Sequence, residues 1–251
     1  MSACICCCGG GVDGPEVVAR RMVDAYGGPE KAPLLSTFKG FGFMKNLSST
    51  TIAENFPYDV CQKGQLYKSR ITIIKQSQVV GVRLNIFDGR ERYIYEYGKG
   101  KRSAPTWEFD FVKYKFPFVL EWIQDPGVEG SVVHADTLDA YLLRYVNGDD
   151  IITFTIDDSS WLLEKVEVGS VADSTFSYSE SYSDYREVEG VPFPNRFVGV
   201  FKGRKYYEFF ISAIEYGIDL SDSIFKVMEK DTSWAAGRVP AAKAEEAAKA
   251  E

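Results

Sequence analysis

Histidine is nearly absent: His134 is the only one in 251 residues. A Ser-His-Asp triad would need that side chain, and no nucleophile-elbow motif accompanies it. Motifs that cradle phosphate are missing too. There is no Walker loop or dinucleotide fingerprint, and Gly9-Gly10-Gly11 precedes a helical pattern with no strand before it. Basic runs are lacking and the formal net charge is −7, so nucleic acid is not an expected partner. No apolar run reaches the length with which a helix crosses a bilayer. Met1 to Cys8 has neither a charged n-region nor an apolar h-region, so it does not read as a standard signal peptide. Together these absences argue against an enzyme, and no cofactor is expected.

Apolar and aromatic residues are plentiful, at 45% hydrophobic and 14% aromatic, which is ample for one core. "PEVVARRMVDAYGG" reads as a helix. Pro15 suits the first helical position, Val18, Met22 and Ala25/Tyr26 make an apolar stripe, and Gly27-Gly28 stops it. From about Leu34 the period changes to two. "TFKGFGFMKN", "QLYKSRITII", "VVGVRLNIFDG" and "RERYIYEYG" are strand-like, with a hairpin signal at Asp88-Gly89. A second β series runs from about Ser131 to Tyr216, with turns at "NGDD" and "VEGV". In "STFSYSESYSDY", Phe176, Tyr178 and Tyr182 share one face. In "IITFTID", Ile152, Phe154 and Ile156 do the same.

Between the two series lies "SAPTWEFDFVKYKFPFVLEWIQDPG". At helical spacing Trp107, Phe111, Tyr114, Phe118 and Trp122 fall on one face, and Phe109, Val112, Phe116, Leu120 and Ile123 make much of the rest apolar. A helix apolar nearly all round must be enclosed on several sides. Pro117 interrupts it, so a kink or two short helices are expected. The expected fold is mainly β with helices (α+β): a strongly curved antiparallel sheet or half-open barrel, with the aromatic segment as a lid on its concave face. On pattern alone, two readings stand: the rings form an ordinary core, or they line a ligand cavity with Phe154, Phe176, Tyr178 and Tyr182.

"VVARRMVDAYGGPEK" with "PLLSTFKGFGF", "IFDGRERYIYEYGKGK", "YSDYREVEGVPFPNRFVGVF" and "ISAIEYGIDLSDSIF" resemble the LolA/LolB-like outer-membrane lipoprotein-sorting family. The resemblance runs from about Pro15 to Met228 and rests on strand and turn punctuation. It implies a half-open barrel closed by helices, with an apolar cavity for acyl chains, in the periplasm or at the outer membrane. The partner would be a lipid or an acylated lipoprotein; the sequence leaves the oligomeric state open, with a monomer favoured. An envelope sensor or scaffold that binds a protein partner is the alternative.

Lys99, Lys101 and Arg102 precede the aromatic segment and are candidate headgroup contacts, with a solvated loop as the plain alternative. Residues 1–13 form a leader rich in cysteine and glycine, 14–230 a single domain, and 231–251 a low-complexity Ala/Glu/Lys tail. The leader holds Cys4, Cys6, Cys7 and Cys8. C-x-C-C-C lacks the pair-and-spacer pattern of structural zinc, and disulfides between such close cysteines would be strained. Ser2-Ala3 before Cys4 matches the small residues that precede a lipoprotein cysteine. If Met1 is an internal codon, a signal sequence lies upstream and Cys4 becomes an acylated anchor on the membrane. An S-palmitoylated cluster or a leader without a role are the other readings.

Overall fold

The computed structural model describes residues 13–45, 55–75, 78–96 and 98–226. Cys4 and the 231–251 tail lie outside them. Helix α1 (Pro15–Ala25) opens the described chain, with Pro15 at its start as the sequence suggests. Val18, Met22 and Val23 are buried, and the apolar side packs over the strands at Gly130–Ala135 and Ala140–Asn147. Gly27 and Gly28 leave the helix at φ of 93° and 87°, a region that side chains disfavour. A single turn, α2 (Ala32–Leu35), leads into the sheet.

Thirteen strands follow among the described residues. Six form a first meander: β1 (Thr37–Lys45), β2 (Asn55–Lys63), β3 (Leu66–Lys75), β4 (Gln78–Phe87), β5 (Arg92–Glu96) and β6 (Gly100–Ala104). Seven form the second: β7 (Gly130–Ala135), β8 (Ala140–Asn147), β9 (Asp150–Asp157), β10 (Leu163–Ser170), β11 (Ser177–Val188), β12 (Val191–Phe201) and β13 (Arg204–Tyr216). All pair antiparallel, and β1 joins β13, so one continuous sheet runs from β6 at one edge to β7 at the other. The two edges do not pair with each other. The protein is therefore mainly β, with few and short helices among the described residues.

The hairpin signals fall where strands turn. Asp88-Gly89 joins β4 to β5, and the Asp88 carboxylate accepts from the Arg90 and Glu91 amides. Gly148 and Gly190 occupy positive φ in the β8–β9 and β11–β12 turns. Alternation is equally faithful. Tyr178 and Tyr182 are buried beside half-exposed serines, and Ile152, Phe154 and Ile156 are wholly enclosed. "KGFGF" has its own reason. A β-bulge falls at Phe41/Gly42, and a Cβ on Gly42 would sit 1.7 Å from the Phe210 carbonyl oxygen.

Residues 105–129 carry the chain from edge β6 to edge β7. The aromatic stretch is three pieces rather than one helix: α3 (Trp107–Asp110), a 3₁₀ turn (Val112–Tyr114) and α4 (Val119–Trp122). Lys115 is extended (φ −90°, ψ 157°) just before Phe116-Pro117. Proline lacks an N–H and disfavours a helical residue before it, so the helix stops and restarts. The expected short helices are present. The single stripe is not, because each break resets the helical phase.

Candidate ligand-binding cavity

A cavity of about 420 Å³ lies between this connecting segment and the first meander. From the segment come Phe109, Val112, Lys115, Phe116 and Phe118. The sheet adds an apolar floor that includes Phe38, Val60, Ile71, Phe193 and Ile211. Phe109 is fixed by stacking on Phe87, with centroids 4.4 Å apart. Phe116 meets Phe193 edge-on at 5.0 Å, and its N–H donates to the Tyr182 hydroxyl at 3.0 Å. Tyr58, Phe209 and Tyr207 stack in series along the wall, at 4.4 and 4.6 Å.

Polar groups are grouped rather than scattered. Glu180 is buried (5% exposed) yet accepts from the Tyr178 hydroxyl at 2.7 Å and from the Tyr207 hydroxyl. The Lys115 ammonium lies 3.5 Å from the same carboxylate oxygen and 4.4 Å over the Tyr178 ring. This pair ties the connecting segment to β11. The Tyr58 and Tyr67 hydroxyls share a bond of 2.8 Å, and burial pushes the Tyr58 phenol well above its ordinary pKa. Arg83, Arg92 and Arg102, on β4, β5 and β6, also line the cavity. Glu96 bridges two of them, 2.8 Å from Arg83 and 3.4 Å from Arg102. Hydrogen bonds from Lys99 and then Arg83 hold the Glu96 carboxyl down at about 2.

Of the residues nominated from sequence, Phe118 and Arg102 line this cavity. Most of the others pack into the second meander. Phe111 lies on Phe176 at 5.4 Å, Tyr114 sits edge-on to Trp122 at 4.9 Å, and Trp122 meets Tyr145 and Phe154 at 5.3 and 6.0 Å. Tyr178 reaches the cavity through Glu180, and Tyr182 packs between Phe116 and Phe197. Lys99 pairs with Glu96 at 2.8 Å, and Lys101 covers the Tyr93 ring at 3.8 Å. The Trp107 side chain is outside the described residues.

Phe109, Phe116, Glu180, Arg83 and Arg92 were not nominated. For Glu180 a signal existed, since it shares strand parity with Tyr178 and Tyr182.

His134 stands apart, at the β7 edge. Its ring nitrogens meet Asp136 at 2.7 Å and Asp158 at 2.9 Å, and these bonds, Asp158 first, raise its pKa. Among the described residues no cluster of His, Cys, Asp and Glu is placed to hold a metal.

This fold has solved counterparts. A LolA superfamily protein from Nitrosomonas europaea superposes with a TM-score of 0.53 at 14% identity, covering 86% of this chain and 99% of that one. A DUF1329 family protein from Desulfovibrio piger gives 0.52 at 12% identity, covering 84% and 95%. An outer membrane lipoprotein-sorting protein domain from Vibrio parahaemolyticus gives 0.51 at 11% identity, covering 85% and 96%. No protein-family model and no curated protein matches the chain. The chain thus matches LolA superfamily and lipoprotein-sorting domains in structure, and the resemblance read from its sequence holds at the level of fold.

Proposed function

We propose that this protein binds the acyl chains of lipids or lipoproteins in the cavity beside its first meander, without catalysing a reaction, in the bacterial cell envelope. One observation carries the reading: an aromatic-walled cavity of about 420 Å³, a size in the range of small-molecule sites, roofed by a broken helical segment. Each buried CH₂ would add about 0.8 kcal/mol of affinity.

The sheet would act as a half-open barrel. Phe109 touches β4, and Phe111, two residues later, touches β11. Those strands are six steps apart in the sheet, roughly 29 Å if it were flat. Contacts of rings so close in sequence with both strands support the reading of a sheet that curls around them. That one structural counterpart is an outer membrane lipoprotein-sorting protein domain agrees with the reading. Cys4 is the proposed point of lipid attachment and residues 1–13 its tether.

Native mass spectrometry of the gently purified chain tests this. The expected result is bound lipid or acylated peptide that is lost on denaturation. Met44→Asp, which sets a charge on the half-buried cavity wall, should then deplete it. A clean apo mass that survives incubation with lipid would instead support the sensor or scaffold reading.

A further inference from the structure

The chain is acidic overall, at −7, but its cavity is not. Four cationic side chains, Arg83, Arg92, Arg102 and Lys115, line it against the single carboxylate of Glu180. Lys115 and Glu180 satisfy each other. The three arginines are grouped on the adjacent strands β4, β5 and β6, with Arg83 and Arg102 sharing Glu96 and Arg92 donating to the Pro105 carbonyl at 3.3 Å. Arg92 and Ile94 alternate on the cavity face of β5, and Arg102 pairs across from Ile94. The apolar floor of Phe38, Phe193 and Ile211 comes from other strands, β1, β12 and β13.

We propose that the cavity selects amphiphiles whose head group is an anion, with the chain on the aromatic floor and the carboxylate or phosphate at Arg83, Arg92 and Arg102. This rests on the acyl-binding reading above and adds the chemistry of the head. Glu96 already holds the Arg83 and Arg102 forks together, so two guanidinium groups converge on one oxyanion. Glu96 is ionised down to about 2 and offsets one positive charge, but three cations, Arg83, Lys99 and Arg102, surround that one carboxylate, so positive charge remains in excess. The Arg83 Nε is buried with no hydrogen-bond partner. Guanidinium forks fit carboxylate and phosphate, and such charge-assisted bonds are about twice as strong as neutral ones. An uncharged head would leave that excess unanswered, and a cationic head would be repelled.

Isothermal titration calorimetry on the full chain tests the idea with four twelve-carbon probes below their micelle concentrations: dodecanoate, dodecyl phosphate, dodecyl maltoside and dodecyltrimethylammonium. Both anions should bind about tenfold or more tighter than the maltoside, and the ammonium weakest. The tighter of the two anions distinguishes a fatty-acid source from a phospholipid one. Arg83→Gln with Arg102→Gln should erase most of the preference while leaving maltoside affinity in place. Arg102→Gln alone, at a half-exposed side chain, should reduce it and avoids any risk to folding. Equal binding of anionic and uncharged probes, or a preference that survives both substitutions, would overturn the inference and leave acyl binding intact. Failure of all four probes would instead remove the acyl-binding reading itself.

Discussion

On the second-meander side, β8, β9 and β11 meet the connecting segment ring to ring. On the first-meander side a cavity opens between it and β1–β5, closed where Phe109 meets Tyr67 and Phe87. Trp122 fills the angle between Tyr145 and Phe154, and Phe111 closes on Phe176. Phe109 and Phe116 instead line the cavity, resting on Phe87 and Phe193 of the sheet. The same stretch of sequence therefore serves as a plug on one side and a roof on the other. Abundant aromatic residues do not by themselves make a cavity. Where facing rings interlock they make a solid core, and space remains where one wall carries Ser69, Asn85 and arginines instead.

Core truncation should separate the two sides most. Phe154 is fully enclosed, so Phe154→Ala should cost about 3–5 kcal/mol in urea unfolding. Met44, half-buried on the cavity wall, should cost about 1 kcal/mol as Met44→Ala, since its site is already partly open. Equal costs would break the comparison.

The tie between the two sides comes next. Lys115 is 14% exposed beside buried Glu180, so Lys115→Met should cost about 3 kcal/mol by stranding a carboxylate. Glu180→Gln in that background should restore part of the loss. If it restores nothing, the pair is not what holds the segment to β11.

The smallest effects are in pH, and they differ in sign at the two edges. Glu96, near edge β6, is depressed from 4.5 to about 2, so its contribution to stability is present above about 4.5 and lost as pH falls toward 2. His134, at edge β7, is raised above 6.5, so its contribution is present below about 6.5 and lost as pH rises through its folded-state value. Urea midpoints measured against pH should lose only the acid arm in Glu96→Gln and only the neutral-to-alkaline arm in His134→Asn. The Glu96 side chain is 13% exposed and that of His134 32%, both within reach of solvent screening, so a change in the opposite arm would be the informative contradiction.

Much of the fold was legible in residue order. Pro15 with Gly27-Gly28 bounded the first helix, Asp88-Gly89 marked its hairpin, and the Tyr/Ser alternation of β11 gave its buried face. The lining of the cavity was much less so. Helical spacing grouped Phe111, Tyr114 and Trp122 with Phe118, because it assumes an unbroken helix. The extended Lys115 and Pro117 reset the phase and sent Phe118 to the cavity and the others to the core. The arginines were hidden for another reason. Along β4, Val82, Leu84 and Ile86 have the more apolar parity, yet Arg83 and Asn85 face the cavity. Both faces of that strand are covered, so polarity alone could not say which was inward. Glu180 was hidden among serines, although its parity matched Tyr178 and Tyr182.

Hydrogen–deuterium exchange with and without saturating dodecyl phosphate tests most directly that the first meander is the binding side. The account predicts added protection in β2–β5 and in residues 109–118, with β8–β10 unchanged. Protection centred on β8–β10, with β2–β5 unmoved, would contradict it.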